Sequence, residues 1–406
     1  MRILYFSPRD CWPLTSGARL RDYYLAREIS RHAKLTYLGF ARTAGLEMKS
    51  GRAGLDQELE CILVPRRNTY SPANLIRGLA GPLPVNILNF TTQGMRAELE
   101  RILRSDRFDL VQMEGVHLYA YLPVIAAAPG RPRVIADWHN IESELIRRYS
   151  ENLSPLLPKR WYAARTARLV ETLEGSLLDK CDAHLVCSER ERKVLLARSP
   201  AAQIRVVENG VDTAAFVPQE SQTKRQRRDL VFVGSMDYHA NIDAAMYFSR
   251  EIWPQLHALR PDLRFMIVGS RPTTEIVALG QQAGITVTGT VDSVAPYYEA
   301  ALAAVVPLRV GSGTRLKVLE SMAAGVPAIS TRLGAEGLSV TDGKHLILAD
   351  SAAEFTSAVT RLANDPAEWE RIALAGRELV VRRYDWSGIG ASLCEYYEEL
   401  VTSARP

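Results

Sequence analysis

Residues 311–327 read GSGTRLKVLESMAAGVP and follow a short apolar run that ends at Pro307. The apolar run predicts a buried strand, the two glycines predict a loop, and the remainder predicts a helix that stops near Gly325 and Pro327. A glycine loop that leads into a helix presents unpaired backbone N–H groups and the positive end of the helix dipole, which suits a phosphate. The residues of this predicted phosphate loop are Gly311, Ser312, Gly313 and Thr314.

Two cations, Arg315 and Lys317, stand at the start of the same helix. Cations at this end oppose the helix dipole, which favours acidic residues in the first turn. An anion bound between the two side chains would explain why they are there. The alternative is an exposed loop in which Lys317 pairs with Glu320, three residues further along the helix. The pattern alone leaves both interpretations open.

The chain on either side repeats a strand–loop–helix pattern. Residues 2–6 predict a buried strand, residues 18–32 a helix and residues 35–40 another strand, which together make a βαβ unit. A polar stretch, PQESQTKRQRRD at residues 218–229, interrupts the series and predicts an exposed linker. A second strand series starts at residue 230. With 406 residues, the chain is long enough for two α/β domains of similar size.

Composition and charge exclude several classes of protein. The chain is 47% hydrophobic and 24% charged, as in globular proteins. Residues 1–210 hold 31 Lys and Arg against 23 Asp and Glu, whereas the remainder holds 19 against 23. No basic run with interleaved aromatic residues supports nucleic-acid binding, and no apolar run reaches the roughly 18 residues of a membrane span. We expect a cytoplasmic protein, because the N-terminus lacks a secretory pattern and the five cysteines form no C-x-x-C pair.

Residues 311–331 resemble the donor-site segment of the family 4 glycosyltransferases, which have the GT-B fold of two Rossmann-like domains. Five other segments resemble motifs of that family and follow in the family's order, so the resemblance covers nearly the whole chain. These segments are Ser16-Gly17 after the first strand, Asp137-Trp138-His139-Asn140, the VENGVD segment at residues 207–212, FVGSM at residues 232–236 and GTV at residues 289–291. Each motif is weak alone, but together they indicate the fold and the class.

The resemblance implies an α/β chain of the GT-B fold, whose two parallel sheets face an interdomain cleft. Residues 1–208 would form the acceptor-side domain and residues 209–385 the nucleotide-sugar-binding domain, with a helix over residues 386–403 packed back onto the first domain. The resemblance also implies retaining transfer from a nucleotide-diphosphate sugar, without a metal ion or a cofactor. Glu320 matches a family glutamate that accepts hydrogen bonds from the ribose hydroxyls. The implied donor-binding residues are Gly17, Gly234, Gly311, Ser312, Gly313, Thr314 and Glu320.

The chain departs from the family pattern in two places. Ser312 stands eight residues before Glu320, where the family has a glutamate that contacts the donor sugar, so the identity of the sugar is open. Residues 235–239 lack the Arg and Lys that many members place just after the first strand of the second domain. We therefore assign the diphosphate charge to Arg315 and Lys317, which would stabilise the leaving nucleotide as negative charge develops.

His139 matches a first-domain residue that lies near the reacting sugar in family members. An imidazole there would hydrogen-bond a donor hydroxyl or orient the acceptor, and the alternative is a capping or core histidine beside Trp138. The predicted catalytic residues are His139, Arg315 and Lys317, and no metal ligand is predicted. At the other end of the chain, Ser387 is placed to cap the terminal helix.

Residues 147–169 combine basic and aromatic side chains, including Lys159, Arg160 and Trp161. A helix of this composition can lie on an anionic membrane surface, where lipid-linked acceptors are presented. The alternative is a charged helix face that is simply solvated.

The sequence therefore predicts a hexosyltransferase of polysaccharide biosynthesis that acts on a saccharide or a lipid-linked acceptor, in the cytoplasm or at the inner face of the membrane. Two alternatives remain. One is a nucleotide-sugar epimerase of the same fold, which would convert the donor without an acceptor. The other is a non-catalytic nucleotide-sugar-binding protein, which the missing glutamate at position 312 suggests.

Overall fold

The computed structural model describes residues 1–12, 14, 16–42, 60–66, 71–216, 227–311 and 316–403. They form two compact units, of which the first comprises Met1–Glu208 with Ile389–Pro406 and the second comprises Asn209–Gly388. The chain therefore passes twice between the units. Residues 217–226 of the linker region and residues 312–315 of the predicted phosphate loop lie outside the described residues, so Ser312, Gly313, Thr314 and Arg315 have no described structure.

A parallel sheet of seven strands forms the centre of the first unit. The strands are β1 Arg2–Phe6, β2 Lys34–Arg42, β3 Glu60–Arg66, β4 Leu110–Glu114, β5 Arg133–Trp138, β6 Ala183–Val186 and β7 Ile204–Val206. Their order is β3-β2-β1-β4-β5-β6-β7, and every pairing is parallel. β4 and β5 are buried at every residue because helices cover both faces of the sheet. The strand order reverses direction between β1 and β4, which opens a crevice at their carboxyl ends.

Helices cover the first sheet. They are α1 Gly17–Ser30, α2 Pro72–Ala80, α3 Val85–Leu88, α4 Gln93–Ser105, α5 Leu122–Ala126, α6 Glu142–Glu151, α7 Pro158–Lys180 and α8 Glu189–Arg198, with a 3-10 turn at Val116–Tyr121. α1 starts where the sequence predicts it, because the Ser16 side chain accepts a hydrogen bond from the backbone N–H of Arg19. This cap directs α1 along the carboxyl end of β1.

The second unit repeats the plan with six parallel strands. They are β8 Asp229–Val233, β9 Arg264–Val268, β10 Ile285–Gly289, β11 Ala301–Val306, β12 Ala328–Ser330 and β13 Ile347–Leu348. Their order is β10-β9-β8-β11-β12-β13, so the direction reverses between β8 and β11. The predicted strand series from residue 230 onward is therefore confirmed. The short strand β13 and the edge strand β3 were not predicted.

The helices of the second unit also follow the predicted alternation. They are α9 His239–Tyr247, α10 Trp253–Leu259, α11 Thr274–Leu279, α12 Ala295–Glu299, α13 Leu316–Ala323, α14 Ala352–Asn364 and α15 Pro366–Arg383. A π-helical segment, Phe248–Ile252, joins α9 to α10. Pro254 has no N–H to donate, which accounts for the loss of regular helical bonding at this junction.

The last helix, α16 Trp386–Thr402, contains the second unit boundary. The prediction that Ser387 caps it is wrong, because the helix begins one residue earlier. Asp385 accepts the backbone N–H of Ser387 at 2.9 Å instead. Among the described residues, no helix is both long and apolar enough to cross a bilayer, and all five cysteines are free thiols.

Candidate functional site

Three polar side chains meet at the carboxyl end of the first sheet. Asp22 lies on α1, Glu114 is the last residue of β4, and His139 directly follows β5. His139 Nε2 lies 2.7 Å from Glu114 Oε2 and 3.1 Å from Asp22 Oδ1. Both carboxylates are fully buried, whereas the imidazole is 13% exposed. The carboxyl end of the first sheet therefore presents an imidazole whose Nε2 contacts two buried carboxylates.

Burial and charge shift the pKa of each member of this cluster. Burial alone would lower the pKa of His139, but its close contacts with the carboxylates of Asp22 and Glu114 outweigh burial and raise the pKa to about 9. Burial and the nearby charge of Asp137 raise the pKa of Glu114 to about 7. For Asp22, the positive charges of Arg9 and His139 outweigh burial and lower the pKa. His139 therefore carries a proton at neutral pH.

Neighbouring residues fix both carboxylates. Asp22 Oδ2 accepts hydrogen bonds from Ser7 Oγ at 2.8 Å and from Arg9 Nη1 at 3.2 Å. Glu114 Oε1 accepts a bond of 2.7 Å from the Gln112 side-chain amide. The oxygen of that amide accepts in turn from the hydroxyl of Tyr397 on α16. The terminal helix therefore contributes to the positioning of Glu114 and is connected to the imidazole through three hydrogen bonds.

A buried ion pair lies beside this cluster. Arg21 on α1 binds both oxygens of Asp137 on β5, with contacts of 2.9, 3.0 and 3.1 Å. Its remaining nitrogen donates to the carbonyl of Val207 at 2.8 Å. Both side chains are almost completely shielded from solvent. Asp137, which the motif places next to His139, thus holds α1 against β5 and is not available to a ligand.

Asp22, Glu114 and His139 also form a group that could hold a metal ion, since one potential ligand atom from each lies within 4.8 Å of the others. A metal needs the lone pair of a neutral imidazole nitrogen. Nε2 is already within hydrogen-bond distance of both carboxylates, and the Arg9 guanidinium, 3.2 Å from Asp22 Oδ2, would repel a metal ion. The donor set therefore fits a charged hydrogen-bonded cluster better than a metal site.

A second polar group lies at the carboxyl end of the second sheet. Lys317, in the first turn of α13, donates to Asn241 Oδ1 at 2.8 Å and lies 4.2 Å from the centre of the Phe232 ring. Gly234, just after β8, leaves room for this contact. A Cβ atom there would lie 2.6 Å from Asn241 Nδ2 and 3.1 Å from Lys317 Nζ. Gly234 is therefore needed for close packing around the lysine.

Glu320 lies one turn after Lys317 on α13. Its Oε2 accepts a hydrogen bond of 3.1 Å from the hydroxyl of Tyr298, a residue of α12 that is 1% exposed. Burial raises the pKa of Glu320, while Tyr298 and the charge of Lys317 oppose that rise. Burial also raises the pKa of Tyr298, so its hydroxyl keeps its proton and donates. Neighbours from other elements hold both Lys317 and Glu320, which a freely solvated helix face would not provide.

The predicted site residues thus fall into two groups. Gly17 is the exposed first residue of α1 and, like His139, belongs to the first unit. Gly234, Gly311, Lys317 and Glu320 belong to the second unit. Gly311 has a φ of +113°, a value that favours glycine.

Several site residues were missed by the sequence analysis. Glu114 ends an apolar strand with a charge, which is a signal that could have been noticed. Asp22, Asn241 and Tyr298 gave no such signal, because they lie within helices and are brought to the site only by tertiary packing.

Two parallel α/β units, each with polar side chains at the carboxyl end of its sheet, define a double Rossmann-like protein. A family model described as Glycosyltransferase Family 4 matches residues 57–215, and one described as Glycosyl transferases group 1 matches residues 227–365. The two models between them span most of the chain. The chain belongs to the family 4 glycosyltransferases.

The chain also resembles individual proteins, at low sequence identity. A glycogen synthase of Mycobacterium tuberculosis is 24% identical over 250 residues, which are 58% of this chain and 59% of that protein. The chain thus matches less than two thirds of the length of this curated relative. A sucrose-phosphate synthase of Thermosynechococcus elongatus has a similar structure, with a TM-score of 0.73 at 17% identity and full coverage of both chains. The HepE protein of Anabaena, solved in complex with UDP, gives a TM-score of 0.69 at 13% identity over 98% of this chain and 100% of that chain. These matches confirm the GT-B fold.

Proposed function

We propose that the protein is a retaining, metal-independent hexosyltransferase that transfers a sugar from a nucleotide-diphosphate sugar to a saccharide or lipid-linked acceptor. The observation that carries the proposal is the pair of held charges on α13. Glu320 offers a carboxylate oxygen anchored by Tyr298, and Lys317 offers an ammonium anchored by Asn241. Both follow directly on the glycine segment, as a ribose and a diphosphate would require.

The roles of the two charges follow from their chemistry. One oxygen of Glu320 is held by Tyr298, so the carboxylate has lone pairs left to accept the protons of a vicinal diol such as a ribose. Lys317 and, by the resemblance, Arg315 supply positive charge where the diphosphate leaves. Gly17, Gly311, Ser312, Gly313 and Thr314 are the further residues that we assign to donor binding.

His139 is proposed to act at the sugar end of the donor. Its raised pKa keeps the ring protonated, so it donates a hydrogen bond to a donor or acceptor hydroxyl and does not accept a proton at neutral pH. The positive charge of Arg9 beside Asp22 supports the proposal that transfer needs no metal at this cluster. We also propose that the enzyme needs no cofactor besides the donor.

Three experiments test the chemistry. The purified protein is offered UDP-, GDP- and ADP-sugars with and without saccharide acceptors, and released nucleotide and sugar products are measured. Nucleotide released only with an acceptor indicates transfer, altered sugar without an acceptor indicates an epimerase, and saturable binding without turnover indicates a binding protein. NMR of the product gives its anomeric configuration, and a net inversion would contradict the retaining mechanism. Activity that is lost with EDTA and restored by a divalent metal would contradict metal independence.

Variants test the site. Glu320→Gln is expected to weaken nucleotide binding, while Lys317→Ala and Arg315→Ala impair turnover. Glu368→Gln, on a different helix of the same unit, is the matched control for loss of a carboxylate. If all three site variants match the wild type, the donor-site assignment is wrong.

We further propose that the protein acts in the cytoplasm at the inner face of the membrane, through an apolar–basic face made of α2 and the start of α7. Exposed apolar side chains mark this face, with Ile76 exposed by 66%, Leu156 by 92% and Trp161 by 74%. α7 lies against the end of α2, because Arg165 donates to the carbonyls of Gly78 and Gly81 at 2.8 and 3.0 Å. The exposed cations of the face are Arg77, Lys159 and Arg168.

Apolar side chains beside cations favour an anionic bilayer, because the chains can enter the headgroup region while the cations bind lipid charge. Sedimentation with vesicles of phosphatidylcholine alone, and of phosphatidylcholine with phosphatidylglycerol, tests this. Binding is expected only with the anionic lipid, and Ile76→Asp and Trp161→Asp are expected to abolish it. Leu259→Asp, at a similarly exposed leucine of the second unit, is the control. Binding that does not depend on anionic lipid would contradict the proposal.

A further inference from the structure

Arg271 lies three residues after β9, at the carboxyl end of the second sheet. Its Nη2 donates to Ser235 Oγ at 2.9 Å, and its Nε lies 3.1 Å from Asp237 Oδ2. Ser235 and Asp237 belong to the segment after β8 in which the sequence lacks the Arg and Lys of many family members. A guanidinium from the loop after the neighbouring strand thus contacts the segment in which those cations are missing.

Arg271 has a strained backbone conformation. Its φ is +54°, a left-handed value that costs a residue with a side chain roughly 1–2 kcal/mol. The loop after β9 is packed on the loop after β8, where the backbone N–H of Met236 donates to the carbonyl of Ser270 at 2.8 Å. A Cβ atom at Gly269 would lie only 1.8 Å from the carbonyl oxygen of Gly234. Strained residues that the surrounding structure fixes in this way cluster at ligand sites.

Hydrogen bonds connect Arg271 to Lys317. Asn241 accepts from Lys317 through Oδ1 and donates through Nδ2 to the carbonyl of Ser235 at 2.9 Å. Ser235 in turn accepts from Arg271 through its hydroxyl. Two neutral residues therefore separate the guanidinium from the ammonium that we assign to the diphosphate. The Arg271 side chain is 64% exposed, so a ligand from solvent can contact its guanidinium directly.

We propose that Arg271 binds the diphosphate of the donor, together with Lys317, and so replaces the cations missing after β8. The inference rests on the proposed function. A guanidinium binds two phosphate oxygens at once, which suits a diphosphate better than a single ammonium does. In the absence of a ligand, Asp237 pairs with Arg271, and a bound phosphate would take its place. The alternative is an exposed ion pair that binds nothing.

Calorimetric titration with UDP, GDP and ADP, and with the corresponding monophosphates, tests the proposal. Arg271→Ala is expected to weaken binding of the preferred diphosphate about tenfold or more, because it removes hydrogen bonds to a charged group. Binding of the monophosphate should change less than about twofold, since the guanidinium is assigned to the second phosphate. Arg271→Lys should restore part of the lost affinity. Asp237→Asn should strengthen diphosphate binding, because it releases the guanidinium.

Arg264 provides a matched control at the opposite end of the same strand. It pairs with Asp229 and is 63% exposed, almost the same as Arg271. Arg264→Ala should leave nucleotide binding unchanged, and an unchanged melting temperature confirms that each variant is folded. If the wild type binds none of the nucleotides, the proposed function and this inference both fail. If the wild type binds, Glu320→Gln weakens binding and Arg271→Ala does not, this inference alone is overturned.

Discussion

The carboxyl ends of the two sheets hold their charged side chains in different ways. In the first unit, charges meet opposite charges: Arg21 binds Asp137, and His139 lies between Asp22 and Glu114. In the second unit, Arg271 also pairs with Asp237, but the two charges on α13 are anchored by neutral groups. An amide holds Lys317 and a phenol holds Glu320.

The difference suggests a division of labour. A charge that is neutralised by a buried partner has a fixed position, but it attracts a charged ligand only weakly. A charge that is held by a neutral hydrogen-bonding group is equally well positioned, and it still attracts a charged ligand strongly. The difference fits the roles proposed above, in which the first cluster orients a sugar and the second binds the nucleotide.

The largest expected effect comes from breaking the buried ion pair of the first unit. Asp137→Asn leaves the Arg21 guanidinium buried without its carboxylate, so the free energy of unfolding should fall by about 3–5 kcal/mol. Urea denaturation measures this. The control is Glu100→Gln, which breaks the exposed Arg104 pair on α4 and should cost less than about 1 kcal/mol. A loss for Asp137→Asn no larger than the control's would mean that the pair does not hold the first cluster together.

A smaller effect is expected from pH acting on His139. The folded state raises the pKa of His139 from 6.5 to about 9, so the folded protein binds this proton more tightly than the unfolded chain does. That contribution to stability is complete below pH 6.5 and is lost as the pH rises through 9. The melting temperature of the wild type should therefore fall between pH 7.5 and 9.5.

Glu114, whose pKa is raised to about 7, acts mainly at lower pH. Burial also raises the pKa of the thiols of Cys11, Cys181, Cys187 and Cys394, so they add to the fall above about pH 8 in the wild type and in each variant alike. His139→Gln should make the fall less steep than in the wild type, whereas His32→Gln, at an exposed histidine, should leave it unchanged. Equal slopes for His139→Gln and the wild type would show that the two carboxylates do not hold a protonated ring.

The smallest effect is expected at the neutral anchor of Glu320. Tyr298→Phe removes one hydrogen bond and leaves the carboxylate in place, so the dissociation constant of the preferred nucleoside diphosphate should rise roughly threefold to tenfold. Titration of the nucleotide measures it, with Tyr297→Phe on the same helix as the control. A loss as large as that of Glu320→Gln would mean that Tyr298 contacts the nucleotide itself.

The sequence predicts the two sheets well because each buried parallel strand leaves a continuous apolar run. The edge strand β3 was missed because it contains Pro65 and is partly exposed, and β13 because it has only two residues. The resemblance locates His139, Lys317 and Glu320. Their anchors could not be predicted, since Lys317 and Asn241 are 76 residues apart and no periodicity connects them.

The position of α16 has a consequence for the order of folding during synthesis. The second unit is one uninterrupted segment, Asn209–Gly388, whereas the first is completed only by Ile389–Pro406. On the ribosome, the second unit can therefore close before the first has all of its residues. Tyr397, which donates to Gln112 next to Glu114, belongs to the segment that is made after the second unit. The cluster around His139 therefore reaches its final form only after the whole second unit has been made, so a nascent chain that stops at Gly388 would have all of the second unit but an incomplete histidine cluster.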